Sequence, residues 1–95
     1  MAAYVIAEVD VTDPVAYENY RKMVAPTIVQ YGGRFLVRGG KIESKEGGWT
    51  PPRFVIVEFP SMERAREWYH SPEYAPALAL RTKASRSRLI IAEGV

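Results

Sequence analysis

The stretch "RFVIVEFPSMERAREWYHSPEY", residues 53–74, decides the fold. Residues 53–59 are dominated by aromatic and β-branched side chains and read as a strand. Pro60 stops it, and Ser61 is the expected N-cap of a helix in which Glu63 favours the positive end and Met62, Ala65, Trp68 and Tyr69 supply an apolar side. This helix ends near His70. Ser71-Pro72 repeats the device of a cap followed by proline and starts a further helical segment to about Ala84, interrupted early by Pro76. A last strand, "RLIIAEG", follows at 88–94.

The N-terminal half follows the same grammar. Residues 3–11, "AYVIAEVDV", read as a strand that ends at Thr12-Asp13-Pro14, where Asp13 caps and Pro14 suits the first helical position. Ala16, Tyr20, Met23, Val24, Thr27, Ile28 and Tyr31 then recur at helical spacing until Gly32-Gly33, with Pro26 expected to kink the last part. "RFLVRGGKIES", 34–44, reads as a second strand with a bulge at Gly39-Gly40, followed by turn chemistry in "KEGGWTPP". The order is βαββαβ with a divided second helix. It predicts an α+β fold, a ferredoxin-like sandwich in which helices cover one face of a four-stranded antiparallel sheet.

The chain has 95 residues, 47% of them hydrophobic, which suits one domain over 1–95 with a single core. A core this small, with no cysteine to staple it, is naturally completed by a second copy. Two sheets packed face to face would cover the helix-free side, so we expect a homodimer. Thirteen basic against eleven acidic side chains give a net charge of +2, too slight an excess to indicate a nucleic-acid partner. The N-terminus "MAAYVIAEVDV" lacks the features of a signal peptide and no apolar run suggests a membrane span, so a cytoplasmic location is expected.

Three groups of residues resemble a known family: "YGGRFLVRGG" at 31–40, "VIVEFPS" at 55–61 with Ala65, Trp68 and Tyr69 beyond it, and "SPEY" at 71–74 with Arg81 further on. Together they resemble the domain of unknown function family 1330, in the wider dimeric alpha-beta barrel group. The resemblance covers nearly the whole chain. It implies a ferredoxin-like subunit and a dimeric α/β barrel, but no established reaction. The wider group includes cofactor-independent monooxygenases, isomerases, cyclases and haem enzymes, and for this chain no cofactor is expected. In the family pattern a small polar residue commonly precedes "SPEY", and His70 departs from it.

His70 is the only histidine and hence a candidate acid or base. The favoured reading is humbler: a residue at a helix C-terminus, where the carbonyl dipoles attract it. One histidine without cysteine makes no zinc site. Polar residues within strands are a stronger signal, because a charge facing a small core must be paired or used. Alternation groups Glu8 with Tyr4 and Ile6, Arg34 and Arg38 with Leu36, and Glu58 with Phe54 and Ile56. A hairpin between the second and third strands would then bring Arg38 and Glu58 onto one face as a salt bridge or a ligand site.

The candidate catalytic residues are therefore Glu58 and His70. Arg38, Tyr20, Tyr31, Trp68, Tyr74 and Arg81 are the candidates for binding an anionic or carbonyl-bearing small molecule. Trp49, in a Gly- and Pro-bounded loop, reads as a dimer anchor or a mobile lid. Neither glycine pair precedes a helix that could hold a phosphate, and Pro52-Arg53 and Ile56 break the pattern of an RNA-recognition strand. Two functions remain: a small-molecule-binding dimer acting as a cofactor-independent enzyme on an aromatic or carbonyl compound, or a non-catalytic ligand-binding or accessory protein.

Overall fold

The computed structural model describes residues 1–95. Its elements run β1 (Ala3–Val11), α1 (Pro14–Gln30), β2 (Arg34–Arg38), β3 (Phe54–Phe59), α2 (Met62–Tyr69), α3 (Ala75–Ala84) and β4 (Ser85–Glu93). The strands form one antiparallel sheet in the order β2-β3-β1-β4, which is the ferredoxin-like arrangement. No helix is long and apolar enough to cross a membrane.

The helix boundaries follow from local chemistry. Asp13 accepts a hydrogen bond from Ala16 N–H at 3.1 Å, and Ser61 does the same for Arg64 N–H at 3.1 Å, so both act as the expected N-caps. At the end of α1, Gly32 turns to φ +79° and its N–H bonds the Val29 carbonyl, while Gly33 N–H reaches back to Ile28. This pair of bonds is the Schellman stop. A side chain at Gly33 would also collide with Phe59 and Ile28, so the glycine lets the chain pass close under the core.

The core lies between the helices and one sheet face. Ala3, Val5, Ala7 and Val9 of β1 alternate inward beneath Tyr17, Tyr20, Val24 and Ile28 of α1. Ala3 of β1 and Ala65 and Trp68 of α2 are all buried in this core. Trp68 packs on Tyr74 with centroids 4.1 Å apart, on Phe59 at 5.4 Å, and donates its Nε1–H to Thr27 Oγ1 at 3.0 Å. Burying a side chain of this size contributes about 2–3 kcal/mol.

Three boundaries differ from expectation. β2 ends at Arg38, not residue 44, and its bulge lies between Phe35 and Val37, not at Gly39-Gly40. Pro76 does not interrupt a helix; it occupies the first turn of α3, where its missing donor costs nothing. β4 begins at Ser85 directly after Ala84, because Ser85 switches to extended backbone and "SRSR" pairs with residues 8–11 of β1.

The sheet face away from the helices has no cover of its own. Glu8 accepts hydrogen bonds there from Trp49 Nε1–H at 2.9 Å and from Arg88. Trp49 also sets its ring edge-on to Phe54, centroids 6.1 Å apart, yet stays 56% exposed.

Candidate functional site

A cavity opens between α1 and the helix-facing side of the sheet. Its free interior is about 40 Å³, within about 490 Å³ of non-atom space that includes open solvent. Its floor is aliphatic, from Val5, Ala7 and Val9 of β1 and from neighbouring strands, and Tyr17, Tyr20, Phe35 and Trp68 wall it. Four arginines, Arg21, Arg38, Arg53 and Arg81, supply nearly all its polarity, and no carboxylate lines it.

Each arginine arrives there for a local reason. Arg21 lies one helical turn after Tyr17 on α1. Its Nη1 donates to Glu18 at 3.1 Å outside the cavity, while its buried Nε has no protein acceptor. Arg38 is turned inward by the β2 bulge, which places it opposite Val55. Its guanidinium lies 4.2 Å from the centre of the Phe35 ring and donates to the Arg21 carbonyl at 3.4 Å. Arg53 shares the inward face with Val55, Val57 and Phe59, and its guanidinium lies 5.4 Å from the Tyr17 centroid. Gly39, at φ +72°, leaves the space that this guanidinium fills, since a Cβ there would come within 2.2 Å of Arg53 Nη1.

Arg81 comes from α3 and is 95% buried by its 5% exposure. It donates to Ser87 Oγ, and its Nε has no protein partner. Burial works against the charge, but the phenol oxygens of Tyr74 and Tyr20 outweigh it and hold the pKa above the ordinary arginine value. Those two hydroxyls are 3.2 Å apart. Burial and then the neighbouring phenol push the Tyr20 pKa far up, so Tyr20 stays a neutral hydroxyl. No carboxylate lies within 4.0 Å of the Arg38, Arg53 or Arg81 guanidinium.

The expected site residues separate into three groups. Arg38, Tyr20, Trp68 and Arg81 share the cavity. Tyr74 is fully buried behind it, against Tyr20 and Trp68. Tyr31 lies elsewhere, donating to Glu73 at 2.7 Å with Arg64 over its ring. That hydrogen bond raises the Tyr31 pKa and lowers that of Glu73.

The expected pairing of Arg38 with Glu58 is overturned. The extra residue in β2 puts Arg38 on the helix side, and Glu58 on the opposite face takes its bond from Arg34 Nε at 2.7 Å. His70 ends α2, its backbone N–H bonded to the Arg66 carbonyl at 3.1 Å and its exposed ring edge-on to Tyr69. Neither Glu58 nor His70 lines the cavity.

Sequence reasoning missed Tyr17, Arg21, Phe35 and Arg53. Period-two alternation from Val55 back to Arg53 carried the signal for Arg53, and helical spacing from Tyr17 to Arg21 carried it for the other end of the cavity.

Several solved structures share this fold. The RPA0582 protein of unknown function from Rhodopseudomonas palustris superposes with a TM-score of 0.75 at 20% identity, covering 99% of this chain and 82% of that one. SnoaB, a cofactor-independent oxygenase from Streptomyces nogalater, gives 0.68 at 11% identity over 99% and 93%. Rv0793 from Mycobacterium tuberculosis gives 0.58 at 18% identity over 100% and 96%. At these identities the likeness is one of fold. No curated protein matches the sequence. Residues 2–95 match the family described as Domain of unknown function (DUF1330), and the chain belongs to that family.

Proposed function

We propose that this protein is a homodimer that binds a small anionic compound with an aromatic or carbonyl body in the cavity between α1 and the sheet. One observation carries the reading: Arg38, Arg53 and Arg81 line an otherwise apolar and aromatic cavity without a carboxylate partner. A guanidinium that lines an apolar cavity without counter-charge is costly, and an anion placed beside it relieves that cost. The aromatic walls suit a flat body, and the arginine forks suit a carboxylate.

A second copy would cover the outer sheet face. The subunit exposes 5942 Å², more than the roughly 5500 Å² expected for a monomer of its mass. Ile90 is 60% and Leu36 46% exposed, and Trp49 is held over the face by Glu8. In such a dimer Trp49 would serve as an anchor.

Binding is favoured over turnover by the contents of the cavity. An enzyme moving a proton there would need a base, and the candidates Glu58 and His70 lie outside it. The fold likeness to a cofactor-independent oxygenase keeps an enzyme of that kind as the second reading, with Tyr20 as the only cavity hydroxyl beside Arg81. Native mass spectrometry of the gently purified protein tests both parts. A dimer carrying an acidic small molecule supports the proposal; a monomer, or a dimer whose retained compound is cationic, contradicts it.

A further inference from the structure

The four arginines are not one cluster. Arg38 stands opposite Val55 on β3, and the carbonyl of Arg53 accepts from Val9 N–H at 2.8 Å. Val9 in turn stands opposite Ser87, the residue that Arg81 holds. Across the sheet in the order β2-β3-β1-β4, Arg53, Val9 and Ser87 lie in one row and Arg38, Val55, Ala7 and Leu89 in the next, so the cations stand on two sides of the cavity. Arg38 and Arg53 stand on the β2-β3 side and Arg81 stands over β4. The strands that carry Arg38 and Ser87 are three spacings apart, about 14 Å. Between them the floor is aliphatic and the walls are Tyr17 and Tyr20.

The two ends differ in kind. Arg38 is exposed at the mouth and can meet an ion that arrives hydrated. Arg81 is 5% exposed, carries a permanent charge, and has an unpartnered Nε beside the cavity. Ser87 Oγ and the phenols of Tyr74 and Tyr20 offer it neutral partners, and no charged group balances it. The titratable groups around Arg81 are Tyr20 from α1, Tyr69 from α2 and Tyr74 at the start of α3; none is a carboxylate or an imidazole. No acidic side chain pairs with Arg81.

We propose that the ligand carries two acidic oxygens on a flat body: a carboxylate held at the mouth by Arg38 and Arg53, and a phenol or enol hydroxyl bound in its deprotonated form by Arg81 and Tyr20. This rests on the reading that the cavity holds a small anion, and specifies its chemistry. On binding, the O–H bond of the ligand breaks, the oxygen keeps the electron pair beside Arg81, and the proton passes to water or buffer because the cavity has no base to take it. Tyr20 remains neutral and donates to the same oxygen. An opposite charge within about 4–6 Å lowers the pKa of an acid by about 1–3 units, against the opposing effect of burial.

The test uses 4-hydroxy-3-nitrobenzoate, whose phenolate is yellow and whose phenol is colourless at the same wavelength. Absorbance is followed against pH with the probe free and with the probe saturated by protein. The phenol midpoint of the bound probe should fall by at least one pH unit. In Arg81→Met the probe should still bind while the fall disappears; in Arg38→Met or Arg53→Met binding should weaken tenfold or more while the bound fraction keeps its shifted midpoint.

A bound probe with an unchanged or raised midpoint overturns the inference and leaves anion binding standing, as does an equal fall in Arg81→Met. Absence of binding by this probe, and by benzoate at millimolar concentration, overturns the anion-binding reading itself. If Arg81→Met does not fold, Arg81→Lys takes its place: a smaller fall supports the role of the guanidinium fork, and an undiminished one overturns it.

Discussion

Arg34 and Arg38 stand four residues apart in β2 and face opposite ways: Arg34 Nε donates to Glu58 at 2.7 Å on the outer face, whereas Arg38 sits opposite Val55 among the cavity walls. Simple alternation would have put them on one face. One extra residue between Phe35 and Val37 reverses the parity and converts a surface charge into a cavity charge.

The two arginines should therefore fail differently. Arg34→Ala removes a surface ion pair in which Arg34 is 72% exposed, so it should cost less than about 1 kcal/mol and leave ligand affinity unchanged. Arg38→Ala should leave the melting temperature within a few degrees and weaken aromatic carboxylates at least tenfold. Thermal melts and binding titrations on the two variants check the contrast; equal losses of affinity would place the anion elsewhere.

Gly39 makes a sharper probe of the same end. At φ +72° an alanine costs about 1–2 kcal/mol of backbone strain, and its Cβ would displace the Arg53 guanidinium. Gly39→Ala should thus lower both the urea midpoint and ligand affinity. Gly47, also at positive φ but with open space around it, should show the strain alone.

Most of the fold was legible because its signals are local. Asp13, Ser61 and the Gly32-Gly33 pair announce helix ends by their own hydrogen bonding, and apolar alternation marks β1 and β3. The bulge was not legible, because Phe35-Leu36-Val37 offers three apolar residues that fit either face. Only pairing with β3 decides between them. The same ambiguity hid the site. Arg81 and Tyr20 were visible as residue types, but an arginine on a helix is ordinarily exposed, and only the tertiary packing shows this one buried.

The buried phenols should behave as a coupled pair. Removing the Tyr74 hydroxyl leaves that of Tyr20 without its 3.2 Å partner, so Tyr74→Phe should cost about 1–2 kcal/mol. The double variant Tyr20→Phe with Tyr74→Phe should cost less than the sum of the singles by at least about 0.5 kcal/mol. Urea denaturation of the four proteins measures this coupling, and strict additivity would contradict the contact.

Acid should act through Glu8. Hydrogen bonds from Trp49 and then Arg88 lower its pKa from the ordinary value of 4.5. A folded-state pKa below the unfolded one gives stability that is present above pH 4.5 and lost as pH falls through the folded value. Between pH 6 and pH 3 the native protein should lose more of its urea midpoint than Glu8→Gln does. A parallel decline of the two would show that the Trp49 and Arg88 bonds do not stabilise the charged form.

The most direct measurement of the central claim uses Trp68, which lines the cavity, as its reporter in a Trp49→Phe background. Its fluorescence is titrated with 4-hydroxybenzoate and, separately, with 4-hydroxybenzamide, which keeps the ring and hydroxyl and lacks the charge. A cavity built around unpaired guanidinium groups predicts that the carboxylate binds at least tenfold more tightly and that the advantage vanishes in Arg38→Ala. Equal affinity for the two compounds would contradict it.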